Sequence, residues 1–208
     1  IGSIAKGKKA DEVNKENTIA IAKGKKDETV KITMETPKST VLQVYSAYMP
    51  IDTRTEVALE IANYVIDMIY TKTIREDEGG TYGVGTAMVG QRSPVERAVI
   101  QISFDTNPEA APKLIDLAVK GLNDLAQNGP TAEQMSKAVE NLKKNLPESR
   151  ISNSYWMGAI DNWYEFGIDY DKEYEEALNS ITVEDIKKVL QDILAQNNMV
   201  QIVSAPKN

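Results

Sequence analysis

The sequence predicts an α+β domain in which an antiparallel sheet carries its helices on one face, in the order β-β-α-β-β-α-α-α-α-β. Three observations predict it. Two pairs of β-rich segments are each split by a turn signal, four amphipathic helical segments gather in the second half, and a short apolar strand closes the chain. With 208 residues, 41% hydrophobic and 26% charged, the chain has the length and composition of one sizeable core.

Residues 1–28 read as a Lys-rich linker or tether, and residues 29–208 as the domain. The tether holds Gly7-Lys8-Lys9 and Gly24-Lys25-Lys26 among Asp, Glu and Asn, with Thr18 to Ala22 as a short stray strand. Residues 1–31 carry eight Lys against five acids, or +3, which leaves −10 of the net −7 on the remainder. Thr29 to Met34 and Val41 to Met49 are β-branched and aromatic around Thr36-Pro37-Lys38, which predicts a hairpin. Thr53-Arg54-Thr55-Glu56 then fits a capping box, and Val57, Ile61, Val65, Met68 and Ile69 continue at helical spacing to about Glu76. Gly79-Gly80 ends that helix. Thr81 to Val89 and Ala98 to Asp105 form the second strand pair about the Ser93-Pro94 turn.

Asn107-Pro108 opens the helical half, through Leu114, Leu117, Leu122 and Leu125 to the stop at Gly129-Pro130. Thr131 to Gln134 is a second capping box, followed by Met135, Val139, Leu142 and Leu146 before Pro147. A third helix carries Ile151, Tyr155, Trp156, Ile160 and Trp163 up to Gly167, and its two tryptophans, seven positions apart, read as core. Thr182 begins the last helix, with Ile186, Val189, Leu190 and Ile193 on its inner side, and Met199 to Val203 make the last strand.

Composition excludes several chemistries. The chain has no His and no Cys, the residues that build nearly all zinc and most other transition-metal sites, and without them it can form no Ser-His-Asp triad or Cys-His dyad. The absence of Cys leaves the redox compartment open. A charge of −7 argues against nucleic acid as a partner. No apolar run is long enough to predict a membrane span. Glu76-Asp77-Glu78 reads as a solvated turn. Asp169-Tyr170-Asp171-Lys172-Glu173 imitates the start of a calcium loop without its Gly at position six or Glu at position twelve. Gly80-x-x-Gly83-x-Gly85 has neither dinucleotide nor P-loop spacing.

The segment Arg75-Glu76-Asp77-Glu78-Gly79-Gly80-Thr81-Tyr82-Gly83-Val84 resembles the signature region of the pitrilysin/insulinase zinc peptidases, with Arg and Tyr seven positions apart. The likeness extends from about residue 29 through Ile102-Ser103-Phe104, the Asn-Gly-Pro-Thr break and the final Thr182-Val183-Glu184-Asp185-Ile186. It is to the final, non-zinc-binding domain of the larger bacterial members, and implies a LuxS/processing-peptidase-like metallohydrolase fold. In that family zinc is held by an inverted His-x-x-Glu-His motif on the N-terminal half, which this chain lacks. The resemblance therefore implies a parent zinc metalloendopeptidase, in which this chain closes the chamber, binds substrate peptide and is inactive alone. Its partners would be the N-terminal catalytic half, on the same or a separate chain, and the peptide. Zinc would be a cofactor of the parent and not of this chain. Arg75 and Tyr82 would contact substrate and transition state, with Gly79 and Gly80 allowing close backbone approach. The same resemblance implies a bacterial parent, periplasmic or exported. The alternatives are a non-catalytic assembly subunit of that family, and an adaptor acting through the basic arm.

The chemistry suits those residue types independently of the family. Cleaving a peptide bond develops an oxyanion, and a phenol or guanidinium aimed at it from a dry wall stabilises the transition state. Arg also presents a fixed fork of donors to peptide carbonyls. Taken alone, Arg75 is a cation at a helix C-terminus and Tyr82 an ordinary strand residue.

Overall fold

A computed structural model describes residues 19–207. Its elements are β1 (Lys25–Ile32), β2 (Ser39–Tyr48), α1 (Thr53–Tyr70) running into a π-helical turn (Thr71–Glu76), β3 (Val84–Gln91), β4 (Arg97–Thr106), α2 (Ala111–Asn128), α3 (Ala132–Ser149), α4 (Asn153–Phe166), α5 (Tyr170–Ser180), α6 (Val183–Ala195) and β5 (Met199–Pro206). The expected α+β class holds. The five strands lie in the order β1-β5-β2-β4-β3. In β4, Ala98, Ile100, Ile102 and Phe104 are buried while Val99, Gln101, Ser103 and Asp105 alternate with them towards solvent, so one face of the sheet takes the helices. Helix α1 packs on β3, and α2 and α6 pack on β2.

The sheet departs from the expected pairing at its beginning. Strand β1 starts at Lys25 instead of Thr29, and it does not turn back on β2. Strand β5 lies between them, parallel to β1 and antiparallel to β2, so the sheet is mixed. The reason lies in what each strand can bury. All eight residues of β1 are exposed and five of them are Lys, Asp or Glu, which suits a charged edge. Strand β5 instead sets Val200 beside Val44, Ile202 beside Leu42 and Val203 beside Val41. Residues 19–22 form no strand, and Thr18 lies outside the described residues. Ile21 is nevertheless buried, and its N–H donates to Tyr48 Oη at 2.9 Å.

The helix signals hold with corrections: α2 begins at Ala111 with Ala110 at its cap position instead of at Asn107-Pro108, and α3 runs through Pro147 to Ser149. Helix α1 is capped by Asp52, whose carboxylate accepts from the Thr55 N–H at 2.7 Å. Thr53 is instead the first helical residue, and its hydroxyl donates to Glu173. The capping boxes at Thr131 and Thr182 both form. Between the third and last expected helices stands a further one, α5, which buries Tyr174, Ala177 and Leu178, so five helices follow β4 where four were expected. Asp169 caps α5 instead of opening a calcium loop. Helix α4 contributes nothing fully buried: Trp156 and Trp163, expected in the core, are 42% and 58% exposed. The core itself is built by Val57, Ile61, Val65 and Ile66 of α1 against Ile100 and Ile102 of β4, with Leu114 and Leu122 of α2 and Leu190 of α6. Gly121 makes room for the buried Tyr70. A Cβ there would lie 2.7 Å from the ring, whose hydroxyl donates to Ala118 O at 2.6 Å.

Candidate functional site

The segment after α1 is fixed at both ends before it reaches the surface. The π-helical turn buries Ile74 and so directs its neighbour Arg75 outwards, into solvent. The chain then bends at Gly79, where φ is +59°, a left-handed conformation that a side chain would strain. Gly80 follows against α2: a Cβ would come within 2.9 Å of Leu114 Cδ1, and its carbonyl accepts from Thr106 Oγ1 at 2.6 Å. The Glu78 carboxylate is paired with Lys113 of α2. Thr81 closes a small turn, donating its hydroxyl to Gly83 O and accepting from Gly83 N–H. Tyr82, between these anchors, is fully exposed.

Beside it runs an open groove of about 600 Å³, lined by Gly79, Gly80, Thr81 and Tyr82 on one side and by Thr36 to Lys38 and Asp105 to Asn107 on the other. The far wall follows from the register, since β2 begins where β4 ends, with Ser39 opposite Thr106. The Asp105 carboxylate accepts from Lys38 Nζ at 2.8 Å and from Thr40 Oγ1 at 2.5 Å. The Lys38 hydrogen bond, with Thr40 behind it, holds the Asp105 carboxyl below the usual aspartate range. The structure thus gathers Gly79, Gly80 and Tyr82 at one groove. Arg75 is exposed on the preceding turn, is not among the lining residues, and makes no hydrogen bond or ion pair among the described residues. Sequence reading missed Lys38 and Asp105, and the pairing of Val41 with Phe104 is the pattern that could have placed them together.

The arrangement offers hydrogen-bond donors and a clamp, and no metal chemistry. Among the described residues no group of three or more His, Cys, Asp or Glu could hold an ion, and the sequence supplies no imidazole or thiolate anywhere. No set of side chains among the described residues fits zinc. Among the described residues no helix is long and apolar enough to cross a membrane.

Residues 2–142 match the family described as "Peptidase M16 inactive domain". The match begins inside the Lys-rich segment. A zinc protease PQQL-like protein of Arabidopsis thaliana is 30% identical over 69 residues, covering 33% of this chain and 7% of that protein. The periplasmic protease PqqL of Escherichia coli shares the fold over 89% of this chain and 21% of its own, with 20% identity and a TM-score of 0.77. The first half of PqqL, solved separately, matches 90% of this chain and 43% of its own at a lower TM-score of 0.65 and 10% identity. A peptidase M16 inactive domain from Pseudomonas fluorescens matches 91% of this chain and 45% of its own, with 19% identity and a TM-score of 0.74. This chain thus spans less than half the length of each of these relatives. The family match covers more than half of the chain, and the chain belongs to the peptidase M16 inactive-domain family.

Proposed function

We propose that this chain is the substrate-binding wall of a zinc metalloendopeptidase, facing a zinc-bearing N-terminal half that lies on the same polypeptide or a partner. The observation that carries the reading is the exposed Tyr82 phenol at the rim of a 600 Å³ groove, on a chain with no His or Cys. Gly79 and Gly80 let the peptide backbone approach, while Tyr82 and Arg75 donate to its carbonyls and to the oxyanion that develops as the bond is cut. Among the described residues neither side chain has a hydrogen-bond or ion-pair partner, which leaves both donors available to a ligand. The periplasm suits the parent, as it does PqqL.

The test is reconstitution with the zinc-bearing half and assay of peptide cleavage. Tyr82→Phe and Arg75→Ala should each lower kcat by about 10²–10³, the effect of losing one oxyanion donor. The chain alone should cleave nothing. Wild-type turnover in both variants would leave the chain as an assembly subunit only.

A further inference from the structure

Tyr82 is fully exposed, so no packing of its own ring decides where the phenol stands. Its place is set by the backbone on either side. On the C-terminal side the β3–β4 ladder begins at Val84, paired with Phe104. Counted back from that pair, Tyr82 would face Thr106, yet residues 79–83 belong to no strand. The segment that carries Tyr82 has therefore left the sheet, and something other than the ladder must hold it.

Thr106 reaches across that gap. Its side chain is buried, and Oγ1 donates to Gly80 O at 2.6 Å, two residues before Tyr82. The other attachments of the segment constrain it less. The Glu78 and Lys113 ion pair lies at the surface, where such pairs hold little, and the Lys113 side chain is 65% exposed. The Thr81 to Gly83 hydrogen bonds are internal to the segment and move with it. Leu114 packs against Gly80, but an apolar contact has no direction. Thr106 itself is firmly placed, because it ends β4 and pairs with Ser39 of β2. Its hydrogen bond also joins the two walls of the groove, one running from Gly79 to Tyr82 and the other from Asp105 to Asn107.

We infer that Thr106 is a positioning residue of the peptidase, acting through Gly80 to fix where the Tyr82 hydroxyl stands in the groove. The inference rests on the reading of Tyr82 as a donor to the oxyanion. Without the Thr106 hydroxyl the Gly80 carbonyl loses its donor and turns towards water, and Tyr82, two residues on, shifts with it. A displacement of about 1 Å at a reacting group can cost about 10²-fold in rate. The loss belongs to kcat, since a donor aimed at charge that develops only in the transition state contributes little to binding the substrate.

The experiment is a double-mutant cycle on peptide cleavage by the assembled peptidase, run well below the melting midpoint of every variant. Thr106→Val keeps the shape of the side chain and removes the hydroxyl, and it should lower kcat by about 10–100-fold with KM changed less than about twofold. Thr106→Ala, which asks nothing of the surrounding packing, should do the same, whereas Thr106→Ser keeps the donor and should stay within about threefold of the unsubstituted enzyme. In a Tyr82→Phe background, Thr106→Val should cost less than about a further twofold, because the group it positions is already gone. A merely structural role would instead lower kcat by the same factor in both backgrounds, and that outcome overturns the inference. So does unchanged turnover in both Thr106→Val and Thr106→Ala while Tyr82→Phe is slow. Unchanged turnover in Tyr82→Phe itself is a different result, since it removes the reading of the groove on which the inference stands.

Discussion

Arg92 shows how much one side chain can join when sequence gives no sign of it. Only 8% of the side chain is exposed; Nε donates to Ile51 O at 2.9 Å, and the two terminal nitrogens reach Asn162 and both carboxylate oxygens of Glu56. One guanidinium thus ties the β3–β4 turn to the start of α1 and to α4. Burial pushes the Glu56 carboxyl up, with Arg92 opposing it, as expected for a desolvated ion held by its partner. Arg92→Met should destabilise the fold by about 3 kcal/mol, because it strands Glu56 in a dry site, and Arg92→Met/Glu56→Leu should recover most of the loss. Urea denaturation of the two variants decides this, and equal stability of both would remove the pair from the account. Residues 36 apart have no periodicity to betray them, whereas the Arg75–Tyr82 resemblance is carried within one short segment. That Tyr82 borders the groove and Arg75 does not depends on the π-helical turn, which no spacing rule anticipates.

Among the elements, legibility followed the strength of local signals. Helices α2, α3 and α6 combine a cap or breaker with apolar residues at 3.6 spacing, and all three formed. Helix α5 was missed because seven of its eleven residues are charged or polar side chains around Tyr174, Ala177 and Leu178, and its cap, Asp169, opens a run that imitates a calcium loop. The hairpin was wrong for another reason: strand propensity says that a segment is extended but not which segment it pairs with, and here a strand from the far end of the chain intervenes. That pairing has a consequence for local stability. Strand β1 bonds to β5 along one edge, faces solvent along all its length and buries no side chain. Its Lys25–Ile32 amides that bond to β5 should therefore exchange with solvent at least about a hundredfold faster than those of β4, which has neighbours on both sides. Hydrogen-exchange mass spectrometry reads this directly, and uniform protection across the sheet would mean that β1 opens only with the whole domain.

At the scale of the whole molecule, acidic groups pull stability in opposite directions as pH changes. Arg54 grips Asp185 through two hydrogen bonds of 2.6 and 3.1 Å and brings its carboxyl down to about 2. Arg150, bonded to Asp171, holds that group below its ordinary range as well. A depressed carboxylate contributes stability above its unfolded pKa of about 3.9, and loses it as pH falls towards the folded value. Glu60 behaves in the reverse sense: burial raises its carboxyl, and the 2.5 Å hydrogen bond from Tyr174 Oη only partly offsets this. A raised acid binds its proton more tightly when folded, so the ionised form destabilises the native state above that raised pKa. The penalty vanishes below the unfolded value of about 4.3. As pH falls, relief of the Glu60 penalty should therefore precede the loss from the paired aspartates, which sets in only below their unfolded value of about 3.9. Glu60→Gln removes that compensation while keeping an acceptor for Tyr174. Its midpoint temperature at pH 7 should exceed that of the unsubstituted chain by about 2–4 °C, a change of about 1 kcal/mol for a domain of this size. The difference should shrink to nothing near pH 4, and melting curves that stay parallel from pH 8 to 4 would show that Glu60 is ionised at no cost in its pocket.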